Sequence, residues 1–149
     1  MCPSCTCHDF SALDEESPRS TSDKQRYYLD KAARSAIKSQ MAHRHGSIVV
    51  LNGEIISEGF NHAFTHMCHK YSIHAEADAL YKVKPIRHLL QEAEMYVVRI
   101  APAKFGGCYK YSKPCIECQE VIKKYGIKKV FYSTNTEYEA LWKSENNKR

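Results

Sequence analysis

The sequence predicts a layered α/β sandwich, and three observations point to it. A helix-period segment opens the main part of the chain, and two β-rich runs then meet at an Asn-Gly pair. The C-terminal half alternates helix and strand, ending in a strand-helix-strand unit.

Residues 1–22 read as a tail, Cys-rich at first and then full of Ser, Asp and Glu without periodicity, and residues 23–149 as one domain. From Asp23, a plausible N-cap, Tyr27, Leu29, Ala32, Ala33, Ala36 and Ile37 recur at helical spacing, which predicts a helix to about Ser39. Ser47–Leu51 and Glu54–Phe60, joined by Asn52-Gly53, predict a hairpin. The polar, His-rich stretch 61–71 is expected as a loop. A second helix is expected from Ile73 or His74 through Leu80, and Met95–Ile100 as a buried strand. Gly106-Gly107 marks a turn, after which the chain returns over Cys108–Ser112. Pro114 opens a third helix that Gly126 ends, Lys129–Ser133 is the next strand, and Glu137–Lys143 a last short helix. A crossover helix between two strands makes them parallel.

At 149 residues the chain can bury one sizeable core, and 43% hydrophobic with 26% charged residues is ordinary for a globular protein. No run approaches the ~18 apolar residues of a membrane span. The start, Met1-Cys2-Pro3-Ser4-Cys5, lacks the build of a secretory signal, so a cytoplasmic location is expected. A net charge of +5 tolerates anionic partners without announcing a nucleic-acid binder. Seven cysteines cannot all pair within one chain, and in a reducing compartment clustered cysteines more often mean metal.

Two motifs carry chemistry: His74-Ala75-Glu76 and Pro114-Cys115-Ile116-Glu117-Cys118, each at an expected helix start. Cys115 and Cys118 are one helical turn apart, so two thiolates can grip one tetrahedral zinc, and the positive helix end favours the thiolate form. His74 would be the third ligand, leaving a fourth place for water. Three protein ligands and an open position separate catalytic from structural zinc. Glu76, on a different bearing from His74, is better placed to handle the water's proton than to ligate.

The pair H-A-E and P-C-x-x-C resembles the zinc-dependent cytidine and deoxycytidylate deaminase superfamily, over about residues 45–134. The resemblance implies a three-layer α-β-α sandwich with a mixed sheet and an N-terminal β-hairpin. It implies zinc on His74, Cys115 and Cys118, with Glu76 as the proton carrier. It also implies that Asn61 contacts substrate and that the backbone at Ala75 lies against the base edge. The reaction implied is hydrolytic deamination of a cytosine nucleoside or nucleotide, cytidine or dCMP foremost, with a homo-oligomer as the assembled form. A base in tRNA or single-stranded DNA is the alternative substrate and is not favoured. A non-catalytic zinc-stabilised scaffold is the alternative of another class.

Other signals keep two readings each. Cys2, Cys5, Cys7 and His8 could clip a structural zinc or hold nothing. His62, His66, Cys68 and His69 could hold a second metal or be loop surface. Tyr109, Lys110, Tyr111 and Lys113 could stack a base and meet a phosphate, or guard a strand edge. Cys108 reads as a small buried residue and Trp142 as a core or interface anchor.

Overall fold

The computed structural model describes residues 7–9, 23–66, 69–101 and 109–134. In chain order the elements are β1 (Cys7–Asp9), α1 (Asp23–Ile37), β2 (Arg44–Leu51), β3 (Glu54–Phe60), β4 (His62–His66) and β5 (His69–Ile73). There follow α2 (Ala75–Lys82), a 3₁₀ stretch (Lys84–Glu92), β6 (Glu94–Ile100), β7 (Tyr109–Lys110), α3 (Ile116–Lys124) and β8 (Lys129–Ser133).

The main sheet runs β1-β8-β6-β2-β3, with β7 also on β6. It is mixed, as expected: β6 and β8 are parallel and joined through α3, while the remaining pairs are antiparallel. Alternation along β6 sorts two cores. Tyr96, Val98 and Ile100 pack with Ile48, Val50 and Phe131 against Tyr28, Leu29, Ala32 and Ala36 of α1. Met95 and Val97 face the other way, with Val49, Val130 and Tyr132, against Ala79 and Leu80 of α2 and Ile122 of α3. Helices therefore cover both faces, and the molecule is the three-layer α-β-α sandwich.

Two glycines set how closely the helices approach. A Cβ at Gly46 would lie 2.1 Å from the Ala32 carbonyl of α1. A Cβ at Gly59 would lie 2.5 Å from both the Ala75 carbonyl oxygen and the Ala79 nitrogen of α2. The Asn52-Gly53 hairpin is present, with φ of 52° and 81°, the left-handed pair that this two-residue turn requires. Gly126, at φ 80°, closes α3.

Several elements differ from expectation. Residues 61–71 are not a loop: β4 and β5 pair antiparallel from His62↔Ile73 to His66↔His69, as a separate two-stranded sheet. Polar composition hid them, because two strands outside the core need no apolar face. Within the expected tail, β1 pairs β8 as an edge strand. α1 stops at Ile37, its last turn tightened by Lys38 N–H to Ser35 O (3.1 Å) and Ser39 N–H to Ala36 O (3.0 Å). The return before α3 is a strand of only Tyr109–Lys110, and α3 begins at Ile116 because Cys115 is its N-cap. Gly106-Gly107, Cys108, the helix expected over Glu137–Lys143 and Trp142 lie outside the described residues. No helix among the described residues is long and apolar enough to cross a membrane.

Candidate active site

Both motifs sit at helix starts, and both helices lie on the same face of the sheet. His74 is the N-cap of α2 (φ −74°, ψ 153°) and Glu76 lies in that helix's first turn. Cys115 is the N-cap of α3, and its sulfur accepts the Cys118 N–H at 3.5 Å. The strand-to-helix junctions thus deliver one imidazole and two thiols to one point.

α2 is held to β3 by more than the Gly59 contact. Ser57 Oγ donates to the Ala79 carbonyl at 2.7 Å, and Asp78 accepts the Phe60 N–H at 3.1 Å. Lys82 Nζ donates to the Glu58 carbonyl at 2.6 Å. On the α3 side a buried serine pair does the same work. Ser112 Oγ accepts the Ser133 N–H at 2.9 Å and lies 2.9 Å from the Val97 carbonyl, while the Ser112 N–H bonds Ser133 O at 2.9 Å. This knot ties the segment leading into Cys115 to β6 and β8.

The donor atoms of His74, Cys115 and Cys118 all lie within 4.8 Å of one another. His74 Nδ1 is 3.2 Å from Cys118 Sγ and 3.6 Å from Cys115 Sγ. A tetrahedral zinc with ordinary Zn–N and Zn–S bonds holds such donors about 3.6 Å apart. The set therefore fits zinc in donor type and in spacing, with Nδ1 as the facing nitrogen. Among the described residues no further His, Cys, Asp or Glu belongs to this donor cluster.

The electrostatics point the same way. Cys118 is buried, and burial, the Glu76 charge and Cys115 push its thiol far above the ordinary range. Glu76 is also buried, 5% exposed, and burial raises its carboxyl despite hydrogen bonds from its own backbone and from Cys118. A dication held between the two sulfurs would offset the burial that disfavours the Cys118 thiolate.

Beside the cluster is a cavity of about 170 Å³, lined by His45, Asn61, Ser72, His74, Ala75, Glu76, Ser112, Lys113 and Cys115. All residues singled out in the two motifs except Cys118 reach it, and so do Asn61 and Ala75. Asn61 does structural work as well: its Oδ1 accepts the His45 N–H at 2.8 Å and its Nδ2 donates to the His43 carbonyl at 2.6 Å. Among the described residues one N–H of its amide has no partner and is left over for a ligand.

Sequence reasoning missed His45 and Ser72. His45 lies ahead of the apolar run that marked the strand, and its signal was only a cluster of polar residues, His43-Arg44-His45. In the structure β2 starts at Arg44, which places His45 on the cavity side. Its Nδ1 is 3.3 Å from the His43 carbonyl, so Nδ1 carries the proton and Nε2 is left as an acceptor. Burial lowers its pKa, against the raising effect of the His43 carbonyl and with the Arg99 charge adding to it, and so favours the neutral ring. Of the possible second-metal group, His62 Nδ1 lies 3.0 Å from the Phe60 carbonyl, while the side chains of His66, Cys68 and His69 lie outside the described residues, as do Cys2 and Cys5.

The dCMP deaminase of cyanophage S-TIM5, in its apo form, superposes with a TM-score of 0.54 at 23% identity, covering 79% of this chain and 90% of that one. The same phage enzyme in complex with dCMP and dUMP gives 0.50 at 19% identity, covering 73% and 79%. The cytidine deaminase of Burkholderia pseudomallei gives 0.52 at 19% identity, covering 68% and 76%. At these identities the likeness is one of fold. No curated protein sequence matches the chain. Residues 22–134, well over half of the chain, match the family described as the cytidine and deoxycytidylate deaminase zinc-binding region. On that match the chain belongs to the cytidine and deoxycytidylate deaminase zinc-binding family.

Proposed function

We propose that the chain is a zinc-dependent hydrolase that removes the amine from a cytosine nucleoside or nucleotide, giving the uracil form and ammonia. The observation that carries this reading is Glu76: a buried carboxylate in the wall of a cavity, next to a three-donor cluster but not one of its donors. A site meant only to staple the fold gains nothing from desolvating a carboxylate there.

His74 Nδ1 and the sulfurs of Cys115 and Cys118 are the residues to hold the ion. When bound, zinc supplies the Lewis acidity that makes water a nucleophile near neutral pH. Glu76 takes a proton from the attacking water and returns it to the ring nitrogen or to the departing amine. Burial suits it to this cycle, because a raised pKa brings a carboxylate closer to the pH at which it must both accept and release a proton. Asn61 and the Ala75 backbone orient the base, with His45 Nε2 available as an acceptor on the same wall.

A cytoplasmic location and self-association belong to the same reading. Tyr81 and Ile116, 61% and 75% exposed on α2 and α3, offer apolar surface beside the metal-site helices for a second copy.

The test is zinc content together with ammonia release from cytidine, deoxycytidine, CMP, dCMP, adenosine, guanine and short oligonucleotides. Zinc bound and a cytosine compound turned over is the expected result. A protein that binds no zinc, or that loads zinc and deaminates nothing, would refute the proposal.

A further inference from the structure

Strand register continues the cavity wall outward as a row of cations. His45 pairs with Arg99 across β2 and β6, and Arg99 pairs with Lys110 across β6 and β7. Paired residues of antiparallel strands project from the same face. Alternation along β6 sets Arg99 on the side of Met95 and Val97, which is the α2/α3 side where His45 lines the cavity. With strands about 4.8 Å apart, Arg99 and Lys110 stand about 5 and 10 Å sideways from His45. Lys113 lines the cavity itself, two residues before Cys115.

None of these three cations has a carboxylate partner among the described residues, where ion pairs employ Lys24, Lys38 and Lys82. Arg99 uses one N–H on His43 Nδ1 at 2.7 Å, which steadies the guanidinium and, among the described residues, leaves most of its donors unused. Ser133 Oγ accepts the Arg99 backbone N–H at 3.2 Å and donates to the Lys110 carbonyl at 2.7 Å, fixing the two cations side by side. Asp30 is occupied by the Tyr109 hydroxyl, and Tyr109 packs against the opposite, α1 face. Among the described residues the one carboxylate in the cavity wall is Glu76, buried at the reacting end. Gathering like charge without counter-charge is unfavourable unless an anion arrives.

We infer that Arg99, Lys110 and Lys113 form a phosphate subsite, and that the substrate is a cytosine nucleotide rather than a nucleoside. This rests on the deaminase reading of the cavity. The guanidinium fork matches phosphate oxygens in pairs, and the two ammonium groups add positive charge to the same patch.

Two measurements on the zinc-loaded protein test it. Calorimetry compares binding of dUMP and deoxyuridine, which needs no turnover, and kinetics compare dCMP with deoxycytidine. dUMP is expected to bind at least about tenfold more tightly than deoxyuridine, charge-assisted hydrogen bonds being the strong ones. In Arg99→Gln and Lys110→Gln, kcat/KM for dCMP should fall about 10- to 100-fold further than that for deoxycytidine. Lys110 lies on a two-residue edge strand, so its variant tests the subsite even if the Arg99 variant folds poorly. Equal binding of dUMP and deoxyuridine, or variants that lower both substrates alike, would overturn the inference. So would an oligodeoxycytidine that binds more tightly than dCMP with a steep salt slope, which marks a polynucleotide substrate. If dUMP binds through Arg99 and Lys110 while no cytosine compound is deaminated, the subsite stands and the deaminase reading falls.

Discussion

Gly59→Ala asks whether the close approach of α2 to β3 is what aims the active site. The added Cβ would sit 2.5 Å from the Ala75 carbonyl oxygen and from the Ala79 nitrogen. Both are backbone atoms of one helix, so neither can swing aside as a side-chain tip would. Non-bonded contact is comfortable at about 3.5 Å, so α2 must retreat by about 1 Å. Overpacking of this kind costs about 1–3 kcal/mol, and each kcal/mol lowers Tm by roughly 2–4 °C in a chain of this size. The displaced segment begins at His74 and carries Glu76, and a 1 Å error in catalytic geometry can cost about 100-fold in rate. Gly53→Ala is the control. At φ 81° alanine is strained by about 1 kcal/mol, but its Cβ meets nothing within 4 Å and lies at the hairpin turn. Ammonia release from dCMP and thermal unfolding should therefore separate the two: both variants lose stability, but only Gly59→Ala loses activity at temperatures where it is folded. Wild-type kcat/KM in Gly59→Ala, or an equal loss in Gly53→Ala, would show that this contact does not position the site.

Four further outcomes are expected. Glu76→Gln keeps its zinc, measured by atomic absorption, yet loses about 10²- to 10⁴-fold in kcat, and retained turnover would remove Glu76 from the proton path. Stripping zinc with a chelator lowers Tm and re-adding zinc restores it, whereas Cys115→Ser should blunt the response; an identical Tm with and without zinc would argue against the ligand set. Ser112→Ala breaks the buried knot with Ser133 and should cost about 1–3 kcal/mol in urea unfolding, with less than 0.5 kcal/mol, or about the scatter of a surface change, counting against it. For His45 the folded pKa lies below the unfolded value of 6.5, so the unfolded chain binds more protons between those two pKa values. The stability it contributes is present above about pH 6.5 and is lost as pH falls through the folded pKa, so wild type should lose stability over that window relative to His45→Gln. Parallel stability curves for the two proteins would contradict the assignment.

Much of this was written locally in the chain. The Asn52-Gly53 turn follows from two residues able to take positive φ between β-rich runs, and the parallel pairing of β6 with β8 follows from the crossover helix α3 between them. The ligand types, and the start of each helix beside them, are equally local: His74 and Cys115 are the N-caps themselves. Periodicity failed over residues 61–73, where two strands pair with each other outside the main sheet, so no apolar stripe betrayed them.

What the linear order leaves undecided is which distant groups share a wall. A spacing rule brings Cys115 to Cys118, but only the packing of α2 and α3 on one face of the sheet brings His74 Nδ1 within 3.2 Å of that sulfur. Gly59 draws no attention as a residue until a helix backbone is found against it. Likewise, His45, Arg99 and Lys110 are unrelated positions until strand register aligns them. Types and turns are properties of neighbours along the chain, fixed by sterics and hydrogen-bonding capacity. Convergence, burial and the field inside the cavity depend on long-range packing, and those the tertiary structure alone decided.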